Sequence, residues 1–285
     1  MNPMSSPSAL RIDAHQHFWK YDAAQYPWIP PGSALHRDWL PADLAAVQEP
    51  LGVHGSVAVQ ARQSEEESRW LLELAEGNPR IAGVVGWVDL RDPGVEESLA
   101  RWASNPKFVG VRHVVQDEPD DAFMLGAEFQ RGVGLLERFG LRYDLLIYPR
   151  QLPAAVELVA RFPLQRFVLD HGAKPPLASG VLGGWERELR RLAQAPNVWC
   201  KVSGLVTEAD WERWDWEGIR PALEVIVEAF GPRRLMWGSD WPVCLHASSY
   251  ERWLEGMERW TQAWSTEERA GFFGENAARF YGIAE

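Results

Sequence analysis

Short apolar runs rich in β-branched residues alternate with amphipathic segments along the whole chain. Each run predicts a buried parallel strand, and each amphipathic segment predicts a helix that crosses to the next strand. Eight strands are predicted: Arg11–His15, Ser56–Ala61, Ile81–Val88, Phe108–Val114, Arg142–Ile147, Phe167–His171, Val198–Ser203 and Leu235–Asp240. Because eight parallel strands close a barrel, the pattern predicts an α/β fold of the (β/α)8 TIM-barrel type.

The helices between these strands have recognisable boundaries. Ser64 to Glu67 reads as a capping box, and the apolar stripe that follows ends at Gly77-Asn78-Pro79. The other predicted helices cover about 94–104, 125–139, 152–162, 185–195, 219–230, 248–263 and 266–273. Residues 21–50 are rich in Pro, Trp and Asp, so we expect a long first loop over the mouth of the barrel.

Composition limits the class of protein. A chain of 285 residues with 46% hydrophobic and 24% charged residues is typical of one globular domain, which we assign to 10–285, after a flexible tail at 1–9. The chain contains no apolar run of about 20 residues, so we expect no membrane span. Two cysteines without CxxC spacing and the absence of a secretory signal predict a cytoplasmic protein.

The net charge narrows the range of partners. A formal charge of −11 without clustered Lys or Arg argues against nucleic acid and favours a small-molecule ligand. Sixteen tryptophans are compatible with packing against sugar rings, although most must serve the core. The sequence does not distinguish a monomer from a homodimer.

Polar residues end nearly all of the predicted strands, and the carboxyl ends of barrel strands carry the active site. The first strand ends in His15-Gln16-His17, and residues two apart on a strand share a face, so both imidazoles can bind one ion. His171 ends the sixth strand and Asp240 the eighth. These four side chains offer three neutral nitrogens and one carboxylate, a set that suits one divalent metal, with zinc expected.

The same residues suggest hydrolytic chemistry. Asp240 is the predicted general base and acid, with His171 as the second catalytic residue. A bound metal would polarise a carbonyl. Five cationic or imidazole side chains at or next to the strand ends are predicted to bind the substrate or its oxyanion: Arg62, Arg112, His113, Lys174 and Lys201. Ion pairs to Asp144, Asp170 or Glu208 are an equally good explanation for each.

Several motifs resemble the amidohydrolase superfamily and, within it, the branch of sugar lactonases. The matching stretches are Ile12 to Trp19 (IDAHQHFW), Tyr26 to Ile29, Val59 to Arg62, Gly110 to His113, Asp170-His171, Cys200 to Trp211 and Gly238 to Cys244 (GSDWPVC). They are distributed over almost the whole chain. The HQHFW and GSDWPVC segments are specific to this branch, whereas a bare HxH with a late aspartate matches many hydrolases.

The resemblance implies a distorted (β/α)8 barrel that opens a sugar-acid lactone such as L-fucono-1,5-lactone to its aldonic acid. It implies a mononuclear site, because the fourth strand ends in Arg112-His113 and offers no Lys or Glu to bridge two metals. Trp28, Trp87 and Trp241 are candidates to lie against the sugar ring. Two alternatives stay open: a lactonase that needs no metal, and a metal-dependent decarboxylase of aromatic carboxylic acids.

Overall fold

A computed structural model describes residues 10–283, and the predicted tail at 1–9 lies outside the described residues. Eight parallel strands pair in sequence order: β1 (Ile12–Gln16), β2 (Gly55–Val59), β3 (Ile81–Gly86), β4 (Phe108–His113), β5 (Arg142–Leu145), β6 (Phe167–Leu169), β7 (Val198–Val202) and β8 (Leu235–Trp237). Each lies within two residues of its predicted start, and several end earlier than predicted. The predicted TIM barrel is confirmed.

Backbone hydrogen bonds just beyond the strand ends join the first strand to the last. The N–H of Asp240 donates to the carbonyl of His15 at 2.8 Å, and the N–H of His17 donates to the carbonyl of Trp241 at 2.7 Å. The register between β1 and β2 shifts between Asp13 and Gln16, so the first strand is irregular. The contact between residues 13–17 and residues 239–241, called the seam below, therefore brings together site residues from both ends of the chain.

Helices follow the strands: α1 (Pro41–Gln48), α2 (Glu65–Gly77), α3 (Val95–Ala103), α4 (Ala127–Leu136), α5 (Leu152–Arg161), α6 (Gly183–Leu192), α7 (Trp216–Phe230), α8 (Tyr250–Trp260), α9 (Thr266–Ala270) and α10 (Asn276–Tyr281). A π-helical stretch, Gly271–Glu275, joins the last two. None of the described helices is long and apolar enough to cross a membrane.

One prediction was wrong in part, because α1 lies within the segment expected to be a loop. Pro41 fills the first helical position, where its missing N–H costs nothing, and the Asp43 carboxylate accepts the backbone N–H of Leu40. The helix has only eight residues and buries only Leu44 and Gln48, so its sequence shows no clear apolar stripe. The irregular part of the connection is shorter than predicted, and Gln25, Pro27 and Trp28 from it line the mouth of the barrel.

Apolar side chains fill the spaces between the strands and the surrounding helices. A second, smaller cluster joins strand residues such as Val57, Val85 and Val168 to Phe280 of α10. The carbonyl of Phe280 accepts a hydrogen bond from Arg142, the first residue of β5. The last helix therefore packs at the end where the strands begin, and leaves the other end open for a site.

Candidate active site

A cavity of about 450 Å³ opens at the carboxyl ends of the strands. Its buried polar residues include His17, His171 and Asp240, whereas Arg62 and Trp28 on its wall are more exposed. The volume lies within the range of ordinary small-molecule sites. The position agrees with the sequence prediction that the strand ends carry the chemistry.

Three histidines each use Nδ1 for a contact with the protein. His17 Nδ1 lies 2.8 Å from the carbonyl oxygen of Val59, and His171 Nδ1 lies 2.9 Å from Ser203 Oγ. His15 Nδ1 lies 3.3 Å from Asp170 Oδ1. We place the His15 proton on Nδ1, because the Asp170 carboxylate beside it can only accept, whereas Lys201, which is 3.2 Å from the same nitrogen, has Asp144 and Asp170 as other partners. The opposite ring nitrogen of each histidine is left to face the site, as in metal ligands.

The Asp240 carboxylate lies among these Nε2 atoms. Its Oδ1 is 3.3 Å from His17 Nε2, 3.7 Å from His15 Nε2 and 3.9 Å from His171 Nε2. Asp240 and His171 both have positive φ, 59° and 55°, a conformation that costs a non-glycine residue free energy and is concentrated at functional sites. The backbone is therefore held in an unfavourable conformation where it aims these two side chains.

Asp13 fixes the seam from behind. Its carboxylate accepts Ser239 Oγ–H at 2.6 Å, the Ser239 N–H at 2.9 Å, the His15 N–H at 3.1 Å and the Tyr250 hydroxyl at 3.0 Å. This explains why Asp13 and Ser239 occur in the two motifs that flank the site. Neither residue lines the cavity, so both act by holding the backbone of His15 and Asp240.

Burial sets the protonation states of the site. It lowers the pKa of His15 well below its ordinary value and the pKa of His171 to about 4, so both rings are neutral at pH 7. Burial alone would raise the pKa of Asp240, but His171, the hydrogen bond from His17, and His15 hold it well below its ordinary value. A carboxylate therefore faces neutral imidazoles, which is the state that binds a metal.

The donor geometry suits one divalent ion. Of the described residues, His15, His171 and Asp240 bring ligand atoms within 4.8 Å of one another, and His17 Nε2 lies 3.2 Å from His15 Nε2. Two atoms that each bind a tetrahedral zinc at about 2.0 Å lie about 3.3 Å apart. The spacings of 3.2 to 3.9 Å are therefore close to those of a metal shell.

A buried network of charges lies beside the histidine–aspartate cluster. Lys201 Nζ binds Asp144 at 2.5 Å and Asp170 at 3.0 Å, and Arg112 Nη1 binds Asp170 Oδ2 at 3.1 Å. The Tyr281 hydroxyl from α10 donates to Asp144 at 2.8 Å. Two cations are thus matched by two carboxylates, and Lys201 Nζ lies 3.2 Å from His15 Nδ1. The network fixes the ring of His15.

Four of the predicted substrate-binding residues line the cavity: Trp28, Arg62, Arg112 and Lys174. Trp28 is 41% exposed, and its Nε1–H donates to the carbonyl of Ala61. Each cation has an acidic partner, Glu66 for Arg62, Asp170 for Arg112 and Glu208 for Lys174. Arg62, Arg112 and Lys174 therefore each form an ion pair and also line the cavity, so the two explanations offered for them are compatible.

Three others do not line the cavity: His113, Lys201 and Trp241. Lys201 is fully buried in its network, so the structure does not place it on the cavity wall where it was predicted to bind the substrate. His113 binds Glu118 at 2.7 Å, accepts the Nε1–H of Trp87 and stacks on Phe123. Trp241 is buried and packs edge-on against Trp39. The residues that line the cavity and those that do not differ in the direction of the side chain at the strand end, which a sequence motif does not show.

The sequence prediction missed Gln60 and Gln116, which also line the cavity. Gln60 directly follows β2 and is fully buried. Its position at a strand end was visible in the sequence, but a neutral amide has no charge that would single it out. Both side chains have a buried amide atom without a hydrogen-bond partner within residues 10–283, Nε2 of Gln60 and Oε1 of Gln116.

Comparison with known proteins gives a consistent result. The family model described as amidohydrolase matches residues 12–283. The chain is 47% identical to L-fucono-1,5-lactonase of Burkholderia multivorans over 97% of both chains, and 39% identical to L-fucono-1,5-lactonase of Burkholderia ambifaria over 96% of both. A zinc-bound crystal structure of an amidohydrolase from Burkholderia multivorans superimposes with a TM-score of 0.93 at 46% identity, covering 97% of this chain and 100% of that one.

The resemblance read from the motifs is thereby confirmed along nearly the full length of the chain. The barrel, the seam between its first and last strands and the histidine–aspartate cluster all agree with that result. The chain belongs to the amidohydrolase family.

Proposed function

We propose that this protein is a sugar lactonase that opens L-fucono-1,5-lactone, or a close relative of it, to the free aldonic acid. One observation carries the proposal. An ionised aspartate lies among three imidazole Nε2 atoms at the base of a cavity, in a chain that is 47% identical to an L-fucono-1,5-lactonase from end to end. The substrate is a small molecule, and the reaction is hydrolysis of a cyclic carboxylic ester.

The charges of the cavity favour a neutral substrate. The cations on its wall, Arg62, Arg112 and Lys174, are each paired with a carboxylate. Further carboxylates on the wall come from Asp117, Glu118 and Asp240. A lactone carries no charge, whereas the aromatic acid of the alternative decarboxylase reaction carries a carboxylate that these paired side-chain cations would not neutralise. The pairing of charges on the cavity wall therefore supports the lactonase over the decarboxylase.

We assign the metal, proposed to be zinc, to His15, His17, His171 and Asp240. The close donor atoms of His15, His171 and Asp240, and a zinc-bound relative, support this assignment. His17 is included because its Nε2 lies 3.2 Å from His15 Nε2 and 3.3 Å from Asp240 Oδ1. When bound, the ion supplies positive charge that polarises the lactone carbonyl. His171 would help to hold the ion through Nε2, and Ser203 keeps the ring in place through Nδ1.

Asp240 carries the proton. Its carboxylate is ionised at neutral pH, so it can take a proton from a water molecule as that water attacks the carbonyl carbon. The tetrahedral adduct then collapses, the bond from the carbonyl carbon to the ring oxygen breaks, and Asp240 returns the proton to that oxygen. Arg62 and Lys174 lie on the wall where they can bind sugar hydroxyls, with Trp28 at the rim beside the ring.

Purified protein loaded with zinc should release one acid equivalent for each L-fucono-1,5-lactone opened, measured with a pH indicator. A panel of related lactones, L-rhamnono, L-galactono and D-arabinono, gives the specificity. Asp240→Asn should lower kcat by about 1,000-fold or more, since the base is lost. Asp210→Asn, which changes an exposed aspartate paired with Arg213, is the matched control and should retain activity.

Unchanged turnover by the Asp240→Asn variant would exclude this mechanism. Activity that survives complete chelation would instead favour the metal-independent lactonase.

Because the described cysteines, Cys200 and Cys244, are buried and unpaired, we further propose that the enzyme works in the reducing cytoplasm, in carbohydrate metabolism.

A further inference from the structure

Two glutamines on the cavity wall, Gln60 and Gln116, have half-used amides, and of these two Gln60 is the fully buried one. The side chain is completely buried, yet it lines the cavity. Its Oε1 accepts Arg112 Nη2–H at 2.9 Å, and its backbone N–H donates to the carbonyl of Val85 at 2.8 Å. Its Nε2 has no partner among the described residues.

The orientation of this amide is fixed. Arg112 is a donor at every nitrogen, so the amide oxygen must face it and the NH₂ group must face away. The backbone carbonyl of Gln60 accepts from the same guanidinium nitrogen, which leaves no alternative rotation for Arg112. The unpaired donor is therefore a property of the fold and is not an ambiguity of amide assignment.

An unpaired buried donor in a residue that lines the cavity is a group that a ligand acceptor would satisfy. More than nine in ten buried polar groups are hydrogen-bonded within folded proteins, because an unpaired one costs free energy. Gln60 can donate two hydrogen bonds through Nε2 without carrying charge. A substrate oxygen would supply the missing partner, and a neutral hydroxyl suits a neutral donor.

The neighbours of Gln60 indicate which hydroxyl it binds. Arg112 joins Gln60 to the metal ligands, with Nη2 on Gln60 Oε1 at 2.9 Å and Nη1 on His15 Nε2 at 3.3 Å. The Arg112 side chain alone therefore lies between the Gln60 amide and the proposed metal ligand His15, beside which the lactone carbonyl would bind. In a sugar-acid lactone, the carbon next to this carbonyl carries the C2 hydroxyl.

We propose that Gln60 is a specificity-determining residue whose side-chain NH₂ donates to the hydroxyl on the carbon next to the lactone carbonyl. This inference rests on the proposed lactonase function. It makes the enzyme selective for 2-hydroxy lactones, the class to which all aldonolactones belong, over lactones that lack this hydroxyl.

The test compares L-fucono-1,5-lactone with its 2-deoxy and 3-deoxy counterparts, using zinc-loaded wild-type protein and Gln60→Met. Wild type should prefer the parent over the 2-deoxy lactone by about 10- to 100-fold in kcat/KM, because removing the acceptor leaves the donor unpaired. In Gln60→Met, which has nearly the same volume and no donor, this preference should fall below about 3-fold. The preference over the 3-deoxy lactone should not change.

Gln60→Glu separates substrate contact from support of Arg112. Glutamate keeps an acceptor for the guanidinium and lacks the donor, so it too should lose the preference for the parent lactone. Zinc content and melting temperature show whether each variant is folded. An unchanged preference in both variants, or an equal loss of activity on all three lactones, would overturn the proposal.

If the proposed lactonase function is wrong, wild-type protein will open none of the lactones. In the case where only the inference fails, wild type opens L-fucono-1,5-lactone and the variants discriminate as it does.

Discussion

The backbone N–H of Asp240 donates to the carbonyl of His15 at 2.8 Å, and the same two residues place Oδ1 and Nε2 3.7 Å apart. One main-chain hydrogen bond thus holds His15, a proposed metal ligand, beside Asp240, the proposed general base. The barrel closes and the site forms through the same contact, which connects the fold directly to the chemistry.

Gly204 should be irreplaceable in the turn after β7. Its φ is +61°, and a Cβ there would lie 2.5 Å from His171 Nδ1 and 3.0 Å from Asp240 Oδ2. We expect Gly204→Ala to lower kcat/KM by at least about 100-fold, since shifts of about 1 Å in catalytic groups have such effects. Lactone hydrolysis under zinc saturation is the measurement.

Gly140→Ala is the matched control for that variant. Gly140 has a similar φ of +68°, but a Cβ there meets no atom within 4 Å. Both variants bear a similar backbone penalty of about 1 kcal/mol, so only the contact with the site differs between them. Equal activities of the two variants would contradict the assignment of Gly204 to the site.

Ser203 should control metal affinity without touching the metal. Its hydroxyl lies 2.9 Å from His171 Nδ1 and fixes the ring with Nε2 toward the site. Ser203→Ala should weaken zinc binding by about 10- to 100-fold, the usual effect of losing a partner behind a histidine ligand. Competition with a chromophoric chelator measures the affinity.

Ser179→Ala, in an exposed turn away from the cavity wall, should leave zinc affinity unchanged. Wild-type affinity in Ser203→Ala would show that the hydroxyl has no part in holding His171.

Lys201 should contribute mainly to stability. It is fully buried between Asp144 and Asp170, so Lys201→Met leaves two buried carboxylates short of a cation. We expect a loss of about 3–5 kcal/mol in the free energy of unfolding, measured by denaturant titration. Arg213→Met, which breaks the exposed pair with Asp210, should cost less than about 1 kcal/mol. A stable Lys201→Met protein with a raised KM alone would return Lys201 to the substrate-binding set.

The sequence predicted the barrel well because its strands are buried on both faces and appear as continuous apolar runs. The motifs also located His15, His17, His171 and Asp240, whose residue types define metal chemistry. What the sequence could not show is side-chain direction. Lys201 and Lys174 both lie near strand ends, but only Lys174 lines the cavity. Charge patterns also overlook a neutral donor such as Gln60, which becomes conspicuous only when its unpaired Nε2 is seen.

The pH dependence of stability should report the burial of His171. Burial lowers the pKa of this histidine from 6.5 to about 4, so between these pH values the unfolded chain binds a proton that the folded chain does not. The contribution of His171 to stability is therefore full above pH 6.5 and is lost as pH falls toward 4. The loss between pH 7 and pH 5 should be about 2 kcal/mol.

Denaturant titrations of metal-free protein at pH 7 and pH 5 measure this effect. Other buried groups also titrate: burial raises the pKa of Asp13 and of Asp144 to about 6, which acts in the opposite sense as pH falls. Comparison of wild type with His171→Asn cancels their contributions to first order, since the variant lacks only the imidazole. The free energy of unfolding should decrease from pH 7 to pH 5 by about 2 kcal/mol more in wild type than in the variant. Parallel changes in the two proteins would mean that His171 is protonated alike in the folded and unfolded chains, and that its ring is not held neutral for a metal.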